Sequence, residues 1–358
     1  MLEEQKHIFN QVIGYIKSEK PAAVIIAGDI YDRTIPGVEA VKVFSDFLTQ
    51  LKKQKIAVLI IAGNHDSPER IGFVSEILKD SNLHLCGAFN EQLSPIILKD
   101  ELGEVNFWML PFINPSMARG FFDGREIESH SDALNAVLES TNIDYNKRNI
   151  LVAHQFFVAA GVTPERSDSE INPVGGLDAV DIEAVKAFDY VALGHLHGAQ
   201  KIKHDHIRYA GSPLKYSFSE CNHKKSVTLV EIKEKGQVTH KQLPLEPIHD
   251  MRELEGTLEE LIEANSCDDY LRITLTDKEE LIEPMAKLRA VYPNIMTLSF
   301  ASNREEIDVA SATMNAEEIA MLSAFDLFSD FFLYESGSTM TVEQEKIVKE
   351  LLQTEEEQ

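Results

Sequence analysis

AAVIIAGDIYD, residues Ala22 to Asp32, is an apolar run that stops abruptly on Gly28-Asp29. The figure returns at Ile56 to Asp66, IAVLIIAGNHD, which stops on Gly63-Asn64-His65-Asp66. Each run is too short for a buried helix and does not alternate with polar residues. Both therefore read as strands covered on two faces. Before the first lies a helix whose apolar residues Leu2, Ile8, Phe9, Val12, Ile13 and Ile16 share one face, ended by Pro21. Between the two strands, Val38 to Lys53 has helical spacing. Helix, strand, helix, strand at this spacing predicts right-handed crossovers and a largely parallel sheet.

Further along, shorter strands are expected at Ile96 to Leu98, Val105 to Leu110, Ile150 to Ala153 and Tyr190 to Leu193. Helices are expected near Ser131 to Glu139 and Asp181 to Ala187. Ser226 to Ile232 and Val238 to Leu243 form a hairpin turning at Lys235-Gly236, and Pro244 to Pro247 marks a boundary. Beyond it, Tyr270 to Leu275, Leu281 to Val291 and Ile295 to Phe300 read as a strand-helix-strand unit. Ala316 to Phe332 and Val342 to Leu352 read as two helices joined at Ser336-Gly337-Ser338.

With 358 residues, 44% of them hydrophobic and 26% charged, the chain is long enough for a large core and for more than one domain. No apolar run approaches the length of a membrane span. The opening MLEEQKHIFN lacks a basic region, so no secretory signal is expected. Three scattered cysteines, Cys86, Cys221 and Cys267, without a CxxC pair suit a reducing cytoplasm and argue against a thiolate-bound zinc. The net charge of -25 weighs against coating of nucleic acid by bulk electrostatics, but not against a nucleic-acid enzyme whose cations offset it locally. Lys201 to Lys225, with six basic residues and three histidines, is either such a local surface or an ordinary solvated strand pair.

Five polar clusters follow apolar strands: Gly28-Asp29-Ile30-Tyr31-Asp32, Gly63-Asn64-His65-Asp66, His154, Gly194-His195-Leu196-His197 and Gly211-Ser212-Pro213. Carboxyl ends of strands in open α/β sheets form one rim where ligands collect, so these clusters are expected to converge. A carboxylate can bridge two cations, an amide oxygen adds a neutral ligand, and imidazoles complete a set suited to Mn²⁺, Fe²⁺ or Zn²⁺ rather than Ca²⁺. Two such cations about 3.5–4 Å apart activate water and stabilise both oxygens of a phosphoryl displacement. Singly, each residue has a plainer explanation as a cap, a turn or a satisfied core histidine. Asp32 is read as loop support, and His130, His204, His206, His223, His240 and His249 as surface or structural residues. The ordered combination GDxxD, GNHD and GHxH is what points to metal chemistry.

That combination resembles the calcineurin-like metallophosphoesterase superfamily. VIIAGDIYDRT (Val24 to Thr34), IIAGNHDSP (Ile60 to Pro68), AHQF (Ala153 to Phe156), LGHLH (Leu193 to His197) and YAGSPL (Tyr209 to Leu214) are similar to the SbcD subunits of bacterial SbcCD nucleases, along essentially the whole chain. The resemblance implies an α/β fold: a phosphoesterase β-sandwich flanked by helices over residues 1–245, a small α/β capping domain over 246–305, and a helical segment for partner docking over 306–358. It implies a 3′–5′ exonuclease and endonuclease acting on DNA ends and hairpins, in repair and recombination. The implied partners are an SbcC-type ATPase and DNA, with a homodimer inside a heterotetramer and no membrane. Two divalent cations, Mn²⁺ foremost, are implied as cofactors. Asp29 would bridge them, Asn64, His154 and His195 would complete one shell, and His197 would serve the other. His65 would protonate or steady the leaving oxygen.

The family pattern also opens with a strand and an Asp-x-His motif, and neither precedes the first helix of this sequence. His7 stands on that helix and reads as a solvated helix residue. The expectation is thus a shortened chain with one four-ligand shell and one incomplete shell, impaired in catalysis. Backbone groups left unpaired in the sheet would cost about 1–3 kcal/mol each if buried. Two alternatives stand beside the nuclease: a small-molecule phosphodiesterase, and a catalytically impaired scaffold subunit. For the scaffold, Leu322, Phe325, Leu327, Phe328, Phe331, Phe332 and Leu333 form either a docking face or an internal packing face.

Overall fold

The computed structural model describes residues 1–301 apart from 74, 163, 171–177 and 280, and beyond them residues 323, 325, 327–329, 332 and 339–356. The chain divides into two compact units, Met1–Met251 and Arg252–Gln358.

In the first unit the helix α1 (Leu2–Glu19) leads into β1 (Ala23–Ala27), and α2 (Val38–Lys53) into β2 (Ala57–Ile61). Short helices α3 (Pro68–Gly72) and α4 (Ser75–Leu78) then precede β3 (Leu83–Cys86). These three strands form a parallel sheet in the order β1-β2-β3.

A second sheet has six strands: β4 (Ile96–Asp100), β5 (Gly103–Leu110), β6 (Arg148–Ala153), β9 (Tyr190–Leu193), β10 (Gln200–Ile202) and β11 (His204–Tyr209). Its order is β10-β11-β9-β6-β5-β4, with a parallel centre and an antiparallel strand at each edge. Helices α5 (Pro115–Arg119) and α6 (His130–Ser140) and the small parallel pair β7 (Phe156–Val158) and β8 (Ala179–Asp181) complete this side, and β12 (Ser226–Ile232) with β13 (Val238–Pro244) forms the expected hairpin.

Alternation within the strands explains the layering. Ala57, Leu59 and Ile61 of β2 face Phe107, Met109, Ile150 and Val152 of the larger sheet, forming the core between the sheets. The alternate residues Val58 and Ile60 pack with Phe47 and Leu51 of α2 and Ile13 and Ile16 of α1. On the outer face of the larger sheet, Trp108, Leu110, Leu151 and Val191 pack with Leu134 and Val137 of α6. The result is a β-sandwich with helices on both outer faces. Every residue of β2 is buried, as its uninterrupted apolar run requires. β1 is only half-buried, because it is the outer strand of its sheet.

α1 is also tied to the end of the hairpin. Glu4, almost fully buried, accepts from the Ile248 and His249 amides at 2.8 and 3.2 Å, and Tyr15 donates to the Pro244 carbonyl at 2.6 Å. The stretch Pro244 to Pro247 is thereby held in the first unit.

The second unit is built on β14 (Met251–Gly256), β15 (Tyr270–Leu275) and β16 (Ile295–Phe300), in that order, with α7 (Leu258–Glu263), α8 (Pro284–Arg289) and α9 (Val342–Glu356). It has its own core, in which Leu261, Leu271, Ile273, Leu288 and Tyr292 are buried. β14 and α7 are additions to the strand-helix-strand expectation. The helix expected over Leu281 to Val291 starts only at Pro284, after the left-handed Glu283. The one expected at Asp181 to Ala187 is a 3-10 turn, Ile182–Val185, capped by Asp181. The helix expected at Ala316 to Phe332 falls mostly outside the described residues, as do Leu322, Phe331, Leu333 and the Ser336 to Ser338 turn.

Candidate metal centre

β1, β2, β6 and β9 all run toward the same rim, and the residues beyond each strand end carry the chemistry. Asp29 follows β1 by two residues, Asn64 follows β2 by three, and His154 follows β6 directly. His195 and His197 follow β9. Asp29, His154 and His195 each offer a ligand atom within 4.8 Å of the others. Asn64 completes the group: its Oδ1 lies 3.0 Å from His154 Nε2 and 3.1 Å from His195 Nδ1.

Backbone geometry shows that this convergence is held against local preference. Asp29 has φ 49° and His195 φ 99°, left-handed values that cost a side-chain-bearing residue about 1–3 kcal/mol where the surroundings enforce them. Close approach sets two glycines. A Cβ on Gly63 would strike the Asp29 carboxylate, and one on Gly194 would strike the Ala27 carbonyl.

Hydrogen bonds orient the ligand atoms. His154 is fully buried, and its Nδ1–H donates to the Ala27 carbonyl at 2.6 Å, which leaves Nε2 facing Asp29 Oδ2 at 3.1 Å. The His65 amide donates to Asp29 Oδ1 at 3.0 Å. Asp66, also buried, ties the two loops together by accepting from the Gly63, Ile30 and Tyr31 amides at 2.9, 3.1 and 3.0 Å. His65 Nδ1–H donates to the Asp32 carbonyl at 3.2 Å, while the Asp32 carboxylate pairs with Arg33 at the surface.

Charge follows from these contacts. Burial pushes Asp29 up, but His154 and the His65 amide outweigh it and hold the carboxyl below its usual range. Burial opposes charge on His154, yet Asp29 and the Ala27 carbonyl carry it above the usual histidine value. Burial and the neighbouring His154 push His195 down to about 3, which keeps it a neutral donor. Burial raises Asp66 against its three amide partners. Two imidazoles, a carboxylate and an amide oxygen, crowded together and with His154 Nδ1 committed to the Ala27 carbonyl, fit a divalent cation of the Mn²⁺, Fe²⁺ or Zn²⁺ type.

His197 stands outside the compact group. Its Nδ1 lies 3.0 Å from Glu220 Oε1 and 2.9 Å from Ser169 Oγ. Glu220, Lys225, Ser169, Glu170 and Asp66 do not stand out as ligands in the sequence clusters. Lys225 in particular is not a solvated lysine: it is buried, and its Nζ lies 2.5 Å from Glu220 Oε2. Nothing in local spacing separates it from exposed Lys201 and Lys203, which pair at the surface with Asp205 and Glu183.

Comparison with known proteins gives the family of the chain. The calcineurin-like phosphoesterase family model matches residues 2–199. The SbcD C-terminal model, described as the type 5 capsule protein repressor C-terminal domain, matches residues 247–336. The D chain of the SbcCD nuclease from Staphylococcus epidermidis is 36% identical over 308 residues, covering 84% of this chain and 80% of that protein. Its namesake from Staphylococcus saprophyticus is 33% identical over 361 residues, covering 98% and 93%. Among solved structures, phosphopantetheinyl hydrolase (PptH) from Mycobacterium tuberculosis aligns over 62% of this chain and 85% of its own, with 14% identity and a TM-score of 0.34.

Proposed function

Because the chain belongs to the calcineurin-like phosphoesterase family and, within it, to the SbcD components of SbcCD nucleases, we propose that it is a metal-dependent nuclease cleaving phosphodiester bonds at DNA ends and hairpins. The observation that carries the reading is the convergence of Asp29, Asn64, His154 and His195 at one rim, enforced by left-handed backbone at two of them. These four residues would hold one divalent cation. Asp29 and His197 would contribute to a second, and Mn²⁺ is the assignment for both. When bound, such cations polarise the phosphodiester and lower the pKa of a coordinated water.

The chain's own groups do the rest. The Ala27 carbonyl fixes which His154 nitrogen faces the rim, and Asp66 holds the Asp29 and Asn64 loops in register. His65, anchored through Nδ1 to the Asp32 carbonyl, keeps Nε2 for moving a proton at the leaving oxygen. An SbcC-type ATPase, DNA and a second copy of the chain are the partners of this reading, in a cytoplasmic heterotetramer. No helix among the described residues is long and apolar enough to cross a membrane.

The test compares cleavage of a DNA hairpin and of bis(p-nitrophenyl) phosphate in Mn²⁺, with and without the ATPase. Hairpin cleavage that falls at least about tenfold in His154→Ala is expected, since even changes to groups behind the ligands of such centres cost about 10–100-fold. Turnover of the small ester with no cleavage of any DNA, ATPase present, would overturn the nuclease reading in favour of a small-molecule phosphodiesterase.

A further inference from the structure

Behind His197 lies a buried polar cluster that the reaction scheme does not use. Glu220 is fully buried on a short 3-10 turn, Phe218–Glu220, whose first turn is capped by Ser217. Its carboxylate has a partner in every direction. Oε1 accepts from His197 Nδ1 at 3.0 Å, from Ser169 Oγ at 2.9 Å and from the Tyr216 amide at 3.3 Å. Oε2 accepts from Lys225 Nζ at 2.5 Å. Lys225 uses its remaining protons on Ser212 Oγ at 2.8 Å and on the His197 carbonyl at 2.9 Å. The His197 amide donates to Glu170 Oε1 at 2.6 Å, and the Tyr216 ring meets the imidazole edge-on at 5.8 Å.

Burying a carboxylate and an ammonium is unfavourable unless both are fully paired, so a cluster this complete is a rigid one. Its consequence falls on one proton. A carboxylate oxygen with no proton of its own only accepts, so the imidazole nitrogen facing it must carry hydrogen. Ser169 spends its single proton on Glu220 and so presents only a lone pair to the same nitrogen.

We propose that Glu220, locked by Lys225, is a positioning residue for His197: it fixes the Nδ1–H tautomer and presents Nε2 as the only nitrogen available to a cation. The cation half of this proposal rests on the two-cation reading above; the tautomer half does not. A carboxylate behind a metal-binding imidazole fixes ring and tautomer and raises ligand basicity, and its loss typically costs about 10–100-fold in metal affinity. Asn64, His154 and His195 share none of these contacts, and Asp29 is the one ligand the two cations would have in common, so loss of Glu220 falls first on the cation held by His197.

The experiment uses the full chain labelled with ¹⁵N-histidine, stripped of metal, at neutral pH. A long-range ¹H–¹⁵N correlation reads the tautomer of each imidazole, and His197→Gln assigns the signal. The Nδ1–H form is expected; an Nε2–H form in the unmodified chain overturns the proposal without any variant having to fold. Glu220→Leu combined with Lys225→Met removes both charges at similar volume. In it His197 is expected to shift toward Nε2–H, and one class of Mn²⁺ sites to lose about 10–100-fold in affinity while the other stays. An unchanged tautomer in that variant also overturns the proposal. A changed tautomer with only one class of Mn²⁺ site in the unmodified chain supports the positioning role and sinks the two-cation reading instead.

Discussion

At His154 a proton and a cation compete for one nitrogen. Nε2 points between Asp29 Oδ2 at 3.1 Å and Asn64 Oδ1 at 3.0 Å, two oxygens that can share either a proton or a divalent ion. Nδ1 is occupied by the Ala27 carbonyl, so the ring has no other way to charge or to bind. With its pKa above the ordinary 6.5, His154 in the metal-free chain is protonated below that raised value and neutral above it. Metal affinity should therefore rise as the pH rises to that value and then level off, by about tenfold per pH unit for one displaced proton. Asp29 is already ionised and His195 already neutral across this window, since their shifts lie below it. Calorimetric titration of Mn²⁺ in buffers of different ionisation enthalpy should detect close to one proton released per cation at about pH 6 and fewer as the pH climbs. An affinity flat across that range would exclude His154 Nε2 as the binding atom. The identities of these ligands were legible because glycine-flanked polar residues at strand ends stand out from apolar runs. The tautomer of His154 was not legible, because it depends on a carbonyl 127 residues away in sequence.

Elements were legible where local chemistry decides them. β2 reads as a strand because both of its faces are covered, and α2 because one helical face is apolar. α7 was not among the expected elements, although Thr257-Leu258-Glu259-Glu260 carries the capping-box pattern that starts it, a local signal that needs no tertiary contact. Burial of the outer strand β1 was not legible, since it depends on what pairs with the sheet rather than on the strand itself. Nor was the role of Asn149, a polar residue inside β6 with no exposed surface. Its Oδ1 accepts from Trp108 Nε1 at 2.9 Å and Asn106 Nδ2 at 3.3 Å, while its Nδ2 donates to the Asp144 and Lys147 carbonyls at 2.8 and 3.0 Å. Asn149→Ala would leave the buried indole N–H without its partner and open a cavity. A loss of about 2–4 kcal/mol is expected in urea unfolding of the first unit. Because Asn149 sits at the opposite end of β6 from His154, Mn²⁺ affinity of the folded variant should stay unchanged. A drop in affinity at full folding would mean that the sheet transmits strain along the strand.

Charge is distributed unevenly over the whole chain. Residues 252–358 hold 8 of the 34 basic and 25 of the 59 acidic residues, so that unit carries -17 of the net -25 and residues 1–251 only -8. Phosphate backbones are bound through cationic groups and released counterions, so a strongly acidic unit opposes DNA unless a basic partner or cation covers it. A capping domain that grips DNA by its own charge is therefore disfavoured on electrostatic grounds, and the grip is assigned to the first unit with its cations. Each unit has its own buried core, which makes separation a reasonable test. Residues 1–251 expressed alone should fold, bind Mn²⁺ with the affinity of the full chain and hydrolyse bis(p-nitrophenyl) phosphate at a comparable rate. Their affinity for duplex DNA in Mn²⁺ should equal or exceed that of the full chain, with the gap widening as salt is lowered, because screening is what hides the second unit's charge. A DNA affinity that collapses on removing residues 252–358, while the small ester is still turned over, would show that the acidic unit supplies contacts its net charge conceals.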